Sequence, residues 1–187
     1  MNLVEEINLA GCCGVFCGLC AKYQSKAPSR CIGCRLGEQH SWCSISRCCV
    51  MKKGFTTCAE CEEYPCERYS RRGWGTDQQT RAAQESLNSI KEVGMKDWLE
   101  EQRKRRLLLE HLLDNYNEGR SMSFYCLATM LMPPELIGKA VNELKEKLAI
   151  NQLNSSDIKA KAKALRGIIQ GLAQESGIEL KLRKKGE

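Results

Sequence analysis

The pattern of apolar and polar positions divides the chain into an irregular first part and a helical second part. From residue 76 onward, apolar residues recur at helical spacing, and capping residues, prolines and glycines bracket each run. The pattern predicts helices over residues 76–93, 97–116 and 124–132, and two more that begin near Pro134 and Ser156. We therefore expect about five helices in an all-α second part.

Residues 1–75 carry no sustained apolar stripe, and glycine is frequent there. The apolar side chains expected to form a core are few: Ile32, Leu36, Trp42, Ile45, Phe55 and Tyr64. A segment of this size with so small a core needs another source of stability, and bound metal is the usual one. We predict an irregular, metal-stabilised, zinc-knuckle-like module over residues 1–75, packed on an all-α helical domain over residues 76–187.

Cysteine usage supports this division. The chain has 13 cysteines in 187 residues, and all but Cys126 lie between Cys12 and Cys66. The first residues lack the basic and apolar stretches of a secretory signal, and no apolar run approaches the roughly 20 residues that span a bilayer. We expect a cytoplasmic protein without a membrane partner, in which dense cysteine indicates metal or redox chemistry and not disulfides.

The spacing of the cysteines is typical of metal ligands. Three C-x2-C pairs occur, and short loops of this kind let two thiolates reach one ion. Since adjacent cysteines seldom both bind one tetrahedral ion, we expect Cys12 and Cys49 to be the spare members of their vicinal pairs. The predicted metal ligands are Cys13, Cys17, Cys20, Cys31, Cys34, Cys43, Cys48, Cys58, Cys61 and Cys66. Within this list, Cys31, Cys34, Cys43 and Cys48 form a self-contained set, and the other six are left for one or two further sites.

Zinc and an iron–sulfur cluster both fit these spacings. Paired C-x2-C loops in a scaffold with little core favour zinc, whereas the C-x3-C-x2-C run from Cys13 to Cys20 is also used by 4Fe–4S clusters. No predicted ligand is followed by proline, unlike in the ferredoxin pattern. Zinc is the preferred cofactor, and a 4Fe–4S cluster is the alternative.

Five short segments carry a recognisable pattern: Cys13-Gly-Val-Phe-Cys17-Gly-Leu-Cys20, Cys31-Ile-Gly-Cys34, Cys43-Ser-Ile-Ser-Arg-Cys48, Lys53-Gly54 and Cys58-Ala-Glu-Cys61-Glu-Glu-Tyr-Pro-Cys66. Over about residues 10–70 the chain resembles the domain-of-unknown-function 3795 family, an uncharacterised cysteine-rich group of bacteria and archaea. The resemblance implies a metal-binding module and supplies no reaction.

No catalytic constellation accompanies the cysteines, so the sequence does not identify an enzyme. We expect a zinc-binding protein whose four-cysteine sites organise a surface that contacts a protein partner or handles metal. An iron–sulfur redox or electron-transfer protein is the second hypothesis. The formal charge of +6 and the basic runs Arg103–Arg106 and Arg183–Lys185 make a nucleic-acid-binding zinc module the third. Glutamates flank the first run, so we expect it to be a solvated face with salt bridges.

Overall fold

The computed structural model describes residues 6–37, 42–70, 78–150 and 156–181. Within these ranges the chain is mostly helical and forms no strand, and its N-terminal region is cysteine-rich and irregular. The chain divides into two compact units, residues 1–103 and residues 104–187. The domain boundary predicted between residues 75 and 76 lies outside the described residues.

Single turns of helix separate the cysteine loops of the first unit. Helix α1 spans Ala21–Gln24, α2 spans Ser44–Ser46 and continues as a π-helical turn over Arg47–Lys52, and α3 spans Glu67–Ser70. Two 3₁₀ turns lie at Cys17–Leu19 and Cys58–Glu60. The second begins with a capping box, in which the Thr57 hydroxyl accepts from Ala59 N–H and the Glu60 carboxylate accepts from Thr57 N–H. The buried Thr57 thus fixes the direction of the chain just before Cys58.

The long helices confirm the helical character predicted from the sequence. Helix α4 spans Gln78–Tyr116, and its backbone leaves helical geometry at Gly94 (φ 84°, ψ 162°), where the sequence predicted a stop. Helices α5, α6 and α7 span Met122–Leu131, Pro134–Ala149 and Ile158–Glu175. Asp157, not the predicted Ser156, caps α7, because its carboxylate accepts from two N–H groups of the first turn. No helix within the described ranges has the length and apolar character needed to cross a membrane.

The core of the first unit differs from the predicted one. Ile45 is buried and Phe55 and Tyr64 are partly buried, but Ile32, Leu36 and Trp42 expose 45%, 57% and 66% of their surface. The buried side chains come instead from the N-terminal loop and from α4, among them Leu9, Phe16, Leu19, Leu87 and Trp98. Phe16 and Trp98 meet edge to face, with ring centroids 5.8 Å apart. The cysteine loops therefore share an apolar core with α4. The sequence of residues 1–75 alone does not predict this core, because α4 lies outside that range.

The second unit has an apolar helical core, and the basic run Arg103–Arg106 contributes to it in an unexpected way. Fully buried side chains include Leu109, Leu112, Phe124, Ile137, Leu144 and Leu165. Arg106 is buried and pairs with Glu110, and Arg105 donates to the carbonyl oxygens of Thr129 and Met132 at 3.0 and 2.7 Å. The ion pair of Arg106 with Glu110 confirms the expected salt bridge, but the Arg106 side chain is buried and not solvated, and Arg105 is partly buried with backbone carbonyls as acceptors.

Candidate metal-binding cysteine clusters

Two long-range hydrogen bonds bring the first and last cysteine segments of the chain together. The Cys58 N–H donates to the Cys12 carbonyl at 2.8 Å. The Tyr69 hydroxyl donates to the Cys13 carbonyl at 2.8 Å. These bonds hold the loop around Cys12 beside the C-x2-C loop that begins at Cys58.

Arg35 ties the loop that carries Cys34 to both of these segments. Its Nε donates to the Ala10 carbonyl at 2.7 Å, and its Nη2 donates to the Thr56 carbonyl at 2.6 Å. Each acceptor lies two residues before a cysteine of the other segments. A single planar guanidinium thus fixes three cysteine loops and places a positive charge among their sulfur atoms.

Three thiols, those of Cys12, Cys49 and Cys58, meet where the segments join. Hydrogen bonds from the Cys49 and Cys58 thiols lower the pKa of Cys12, and the positive charge of Arg35 lowers it further. The hydrogen bonds to Cys12 and Cys49 raise the pKa of Cys58 well above its ordinary value. Within this group, Cys12 is therefore the sulfur that carries negative charge most readily.

Cys12 and Cys49 were expected to be spare residues, yet they contact a predicted ligand, Cys58. Both are buried, whereas their chain neighbours Cys13 and Cys48 are only partly buried. Cys48 and Cys49 lie in the π-helical turn Arg47–Lys52, and both line a small cavity together with Cys58. The two vicinal pairs are the sequence signal that identifies Cys12 and Cys49 as candidates for this group.

A second sulfur contact joins Cys17 to Cys34. The Cys34 N–H donates to the Cys17 sulfur at 3.4 Å, and the Gly33 N–H donates to the Cys31 sulfur at 3.4 Å. A hydrogen bond from the Cys17 thiol lowers the pKa of Cys34 to about 7. The hydrogen bond to Cys34 and burial raise the pKa of Cys17 well above its ordinary value, so negative charge in this pair is favoured on the Cys34 sulfur.

Five cysteines of the first unit line one small cavity with a volume of about 30 Å³: Cys48, Cys49, Cys58, Cys61 and Cys66. Lys53 also lines it, and its Nζ lies 3.4 Å from the Cys61 sulfur and 2.7 Å from Glu63 Oε1. Hydrogen bonds to Glu63 and Cys61 raise the pKa of Lys53, so its ammonium group keeps its charge. Lys53 therefore places a positive charge directly beside the Cys61 sulfur.

The other predicted ligands are less closely grouped. Within the described ranges, no three His, Cys, Asp or Glu side chains are arranged so that they could hold one metal ion. The predicted self-contained set is divided, because Cys34 contacts Cys17 while Cys48 lines the cavity with Cys58. The remaining predicted ligands, Cys13, Cys20, Cys31 and Cys43, are all partly buried.

Comparisons with protein-family descriptions, with curated proteins and with solved structures give no match to this chain. The resemblance to the domain-of-unknown-function 3795 family therefore stays a prediction.

Proposed function

We propose that the first compact unit is a zinc-binding module whose cysteine sites organise a protein-interaction or metal-handling surface. The observation that carries this proposal is the small cavity lined by Cys48, Cys58, Cys61 and Cys66. All four are predicted ligands from two chain segments, and they would have to move closer together to bind an ion, because no three side chains of the described residues are already arranged as a metal site. Four thiolates are a usual ligand set of structural zinc sites.

A second zinc site is proposed around Cys17 and Cys34. Burial raises the pKa of Cys13, and the negative charges of the nearby thiolates, including Cys34 and Cys43, raise it further. The geometric support for this site is the contact at 3.4 Å between the Cys34 N–H and the Cys17 sulfur. Cys13 and Cys43 would have to move toward that pair to complete four ligands, and a divalent cation would offset the repulsion among the four thiolates.

The paired C-x2-C loops favour a zinc ion over a 4Fe–4S cluster, and no predicted ligand is followed by the proline of the ferredoxin pattern. An iron–sulfur protein is the alternative that metal analysis distinguishes.

Exposed apolar side chains on the first unit support a protein partner. Leu36, Trp42 and Met51 expose 57%, 66% and 75% of their surface, and all three lie in the segment that carries Cys34 to Cys49 or directly beside it. Exposed tryptophan and methionine are enriched in protein interfaces. Trp42→Ser should leave the zinc content unchanged and reduce cross-linking to other proteins in the producing cell. An unchanged cross-linking pattern would count against this surface.

A nucleic-acid partner has less support from the basic runs. Two of the four cations in Arg103–Arg106 are engaged within the fold, since Arg105 donates to backbone carbonyls and Arg106 pairs with Glu110. Arg183–Lys185 lies outside the described residues. Phosphate contacts need cations that are accessible to the backbone of the nucleic acid.

Elemental analysis and visible absorption of protein purified without oxygen test the zinc proposal. We expect a colourless protein with about two zinc ions per chain. Cys61→Ser should lose about one of them, because it removes a ligand of the cavity site only. Cys126→Ala is the matched control, since Cys126 is buried in α5 of the other unit, and it should keep the full zinc content.

Two results would contradict the proposal. A brown protein that contains iron and sulfide and bleaches with dithionite would establish the iron–sulfur alternative. A protein that contains no metal and keeps its hydrogen-exchange protection under strong chelation would exclude metal binding as the basis of this fold.

A further inference from the structure

The second unit contains an open cavity with a strongly basic lining and a volume of about 730 Å³. Its charged lining residues are Arg120, Lys159, Lys163, Arg166 and Glu118. Four cations against one carboxylate leave a formal charge of +3. The volume falls within the roughly 300–1,000 Å³ that is typical of small-molecule sites.

Helix α7 supplies three of the cations from one face. Lys159, Lys163 and Arg166, followed by Gln170, recur at intervals of three or four residues, so their side chains are neighbours along the helix. Leu165 on another face is fully buried in the core. Because that face is fixed by packing, the basic face has one defined orientation.

In the described part of the chain, none of Arg120, Lys159, Lys163 and Arg166 forms an ion pair with an acidic side chain, whereas Lys147 on α6 pairs with Glu143 at 2.8 Å. Arg166 is held over the Phe124 ring, with its guanidinium carbon 5.1 Å from the ring centroid. Positive charge concentrated in a concave surface attracts anions.

Glu118 adds a hydrogen-bond acceptor to this basic lining. Its Oε1 accepts from the Ser121 hydroxyl at 3.0 Å, while its Oε2 is buried and has no hydrogen-bond partner among the residues that the structure describes. A buried carboxylate oxygen without a donor is costly. A hydroxyl or amine of a bound molecule would remove that cost.

We propose that this cavity binds a small diphosphate ester, whose diphosphate group contacts the four cations and whose hydroxyl donates to Glu118. A diphosphate ester carries about three negative charges near neutral pH, which matches the formal +3 of the lining. Among the described lining residues there is no aromatic side chain, and single-stranded nucleic acids usually need such rings for stacking. A small molecule therefore fits better than a nucleic-acid strand. This site is independent of the zinc proposal.

Isothermal titration calorimetry of the full chain with ADP, inorganic pyrophosphate and a single-stranded RNA oligonucleotide tests this inference. We expect one ADP to bind per chain, and Lys163→Glu to weaken that binding at least about tenfold. The matched control is Lys145→Glu, the same charge change at an exposed position of α6, which should change the affinity less than about twofold. ADP should bind more tightly than pyrophosphate, and Glu118→Ala should remove that difference.

Three outcomes would overturn the inference. The first is an absence of saturable binding by both ADP and pyrophosphate. The second is an equal loss of affinity in the Lys163→Glu and Lys145→Glu variants, which would indicate unspecific surface charge. The third is tighter binding of the RNA oligonucleotide than of ADP, with the same sensitivity to Lys163→Glu. Equal affinity for ADP and pyrophosphate in the unaltered chain would overturn the role of Glu118 and leave an inorganic diphosphate as the ligand.

Discussion

The Tyr69 hydroxyl donates a 2.8 Å hydrogen bond to the backbone carbonyl of Cys13, across 56 residues of the chain. Tyr69 exposes only 1% of its surface and lies on α3, directly after the last cysteine of the module. Its ring also packs edge to face on Tyr64, with centroids 4.9 Å apart. The bond therefore links the two ends of the cysteine-rich segment through a buried contact that involves no sulfur.

We predict that Tyr69→Phe lowers the free energy of unfolding of the first unit by about 1–2 kcal/mol, because the Cys13 carbonyl loses its donor while the ring stays. Urea denaturation followed by hydrogen exchange of that unit measures the change. Tyr23→Phe on α1 is the control and should change the stability by less than about 0.5 kcal/mol. An equal loss in both variants would show that the Cys13 contact contributes nothing specific.

Gly14 is a position where only glycine fits. Its φ is +90°, and a Cβ there would clash with the Ala83 carbonyl and the Leu87 side chain on α4. Gly14→Ala should destabilise the first unit by about 3 kcal/mol or more, since backbone strain and displacement of α4 add together. Thermal denaturation reports the change as a lower Tm.

For Gly138→Ala, the same substitution in α6, we expect a gain in stability instead of a loss. Gly138 lies inside α6, and an added Cβ meets no atom within 4 Å. Alanine is favoured over glycine in a helix, so the variant should be more stable by about 0.5–1 kcal/mol. A loss of stability here comparable to that of Gly14→Ala would contradict the steric explanation.

Arg105 supplies hydrogen bonds that two prolines cannot donate. Pro133 and Pro134 have no N–H, so the carbonyls of Thr129 and Met130 lack their helical donors at the end of α5, and Arg105 Nη1 lies 3.0 and 3.5 Å from them. Arg105→Met keeps much of the apolar stem and removes the donors, and it should cost about 1–3 kcal/mol in the second unit. Lys104→Met, at an exposed neighbouring position, should stay within about 0.5 kcal/mol. Chemical denaturation of both variants measures this difference.

Cys34→Ser should unfold the first unit and leave the second one folded. The variant loses the Cys34 sulfur, which accepts a hydrogen bond from the Cys17 thiol and is a proposed zinc ligand, and the division between compact units lies after residue 103. Hydrogen exchange should therefore accelerate in residues 6–37, 42–70 and 78–103, while residues 104–150 and 156–181 stay protected. Loss of protection throughout the chain would show that the two units unfold together.

The sequence predicts the long helices well because their signals are local. Gly94 marks the break in α4 and Pro134 marks the start of α6, and both effects arise from the backbone of the residue itself. The core of the first unit could not be predicted in the same way. Phe16 is buried against Trp98, a residue more than eighty positions away, so no window around Phe16 contains the reason for its burial.

The contacts among the cysteines could not be predicted from the sequence for the same reason. Short spacing predicts which residues share a loop, as for Cys58 and Cys61, but it does not predict which loops meet. The contact of Cys12 with Cys49 and Cys58 depends on the long-range bond between the Cys58 amide and the Cys12 carbonyl. The grouping of the cysteines could therefore not be predicted from their spacing, and which of them bind metal stays a prediction.

The bond between Cys58 and Cys12 has a consequence for biosynthesis. At roughly 5–20 residues per second, a ribosome makes Cys58 several seconds after Cys12. During that interval the early thiols are without the neighbours that surround them in the finished fold, and they are open to oxidants. Their oxidation state therefore depends on the redox conditions around the nascent chain until the later loop emerges.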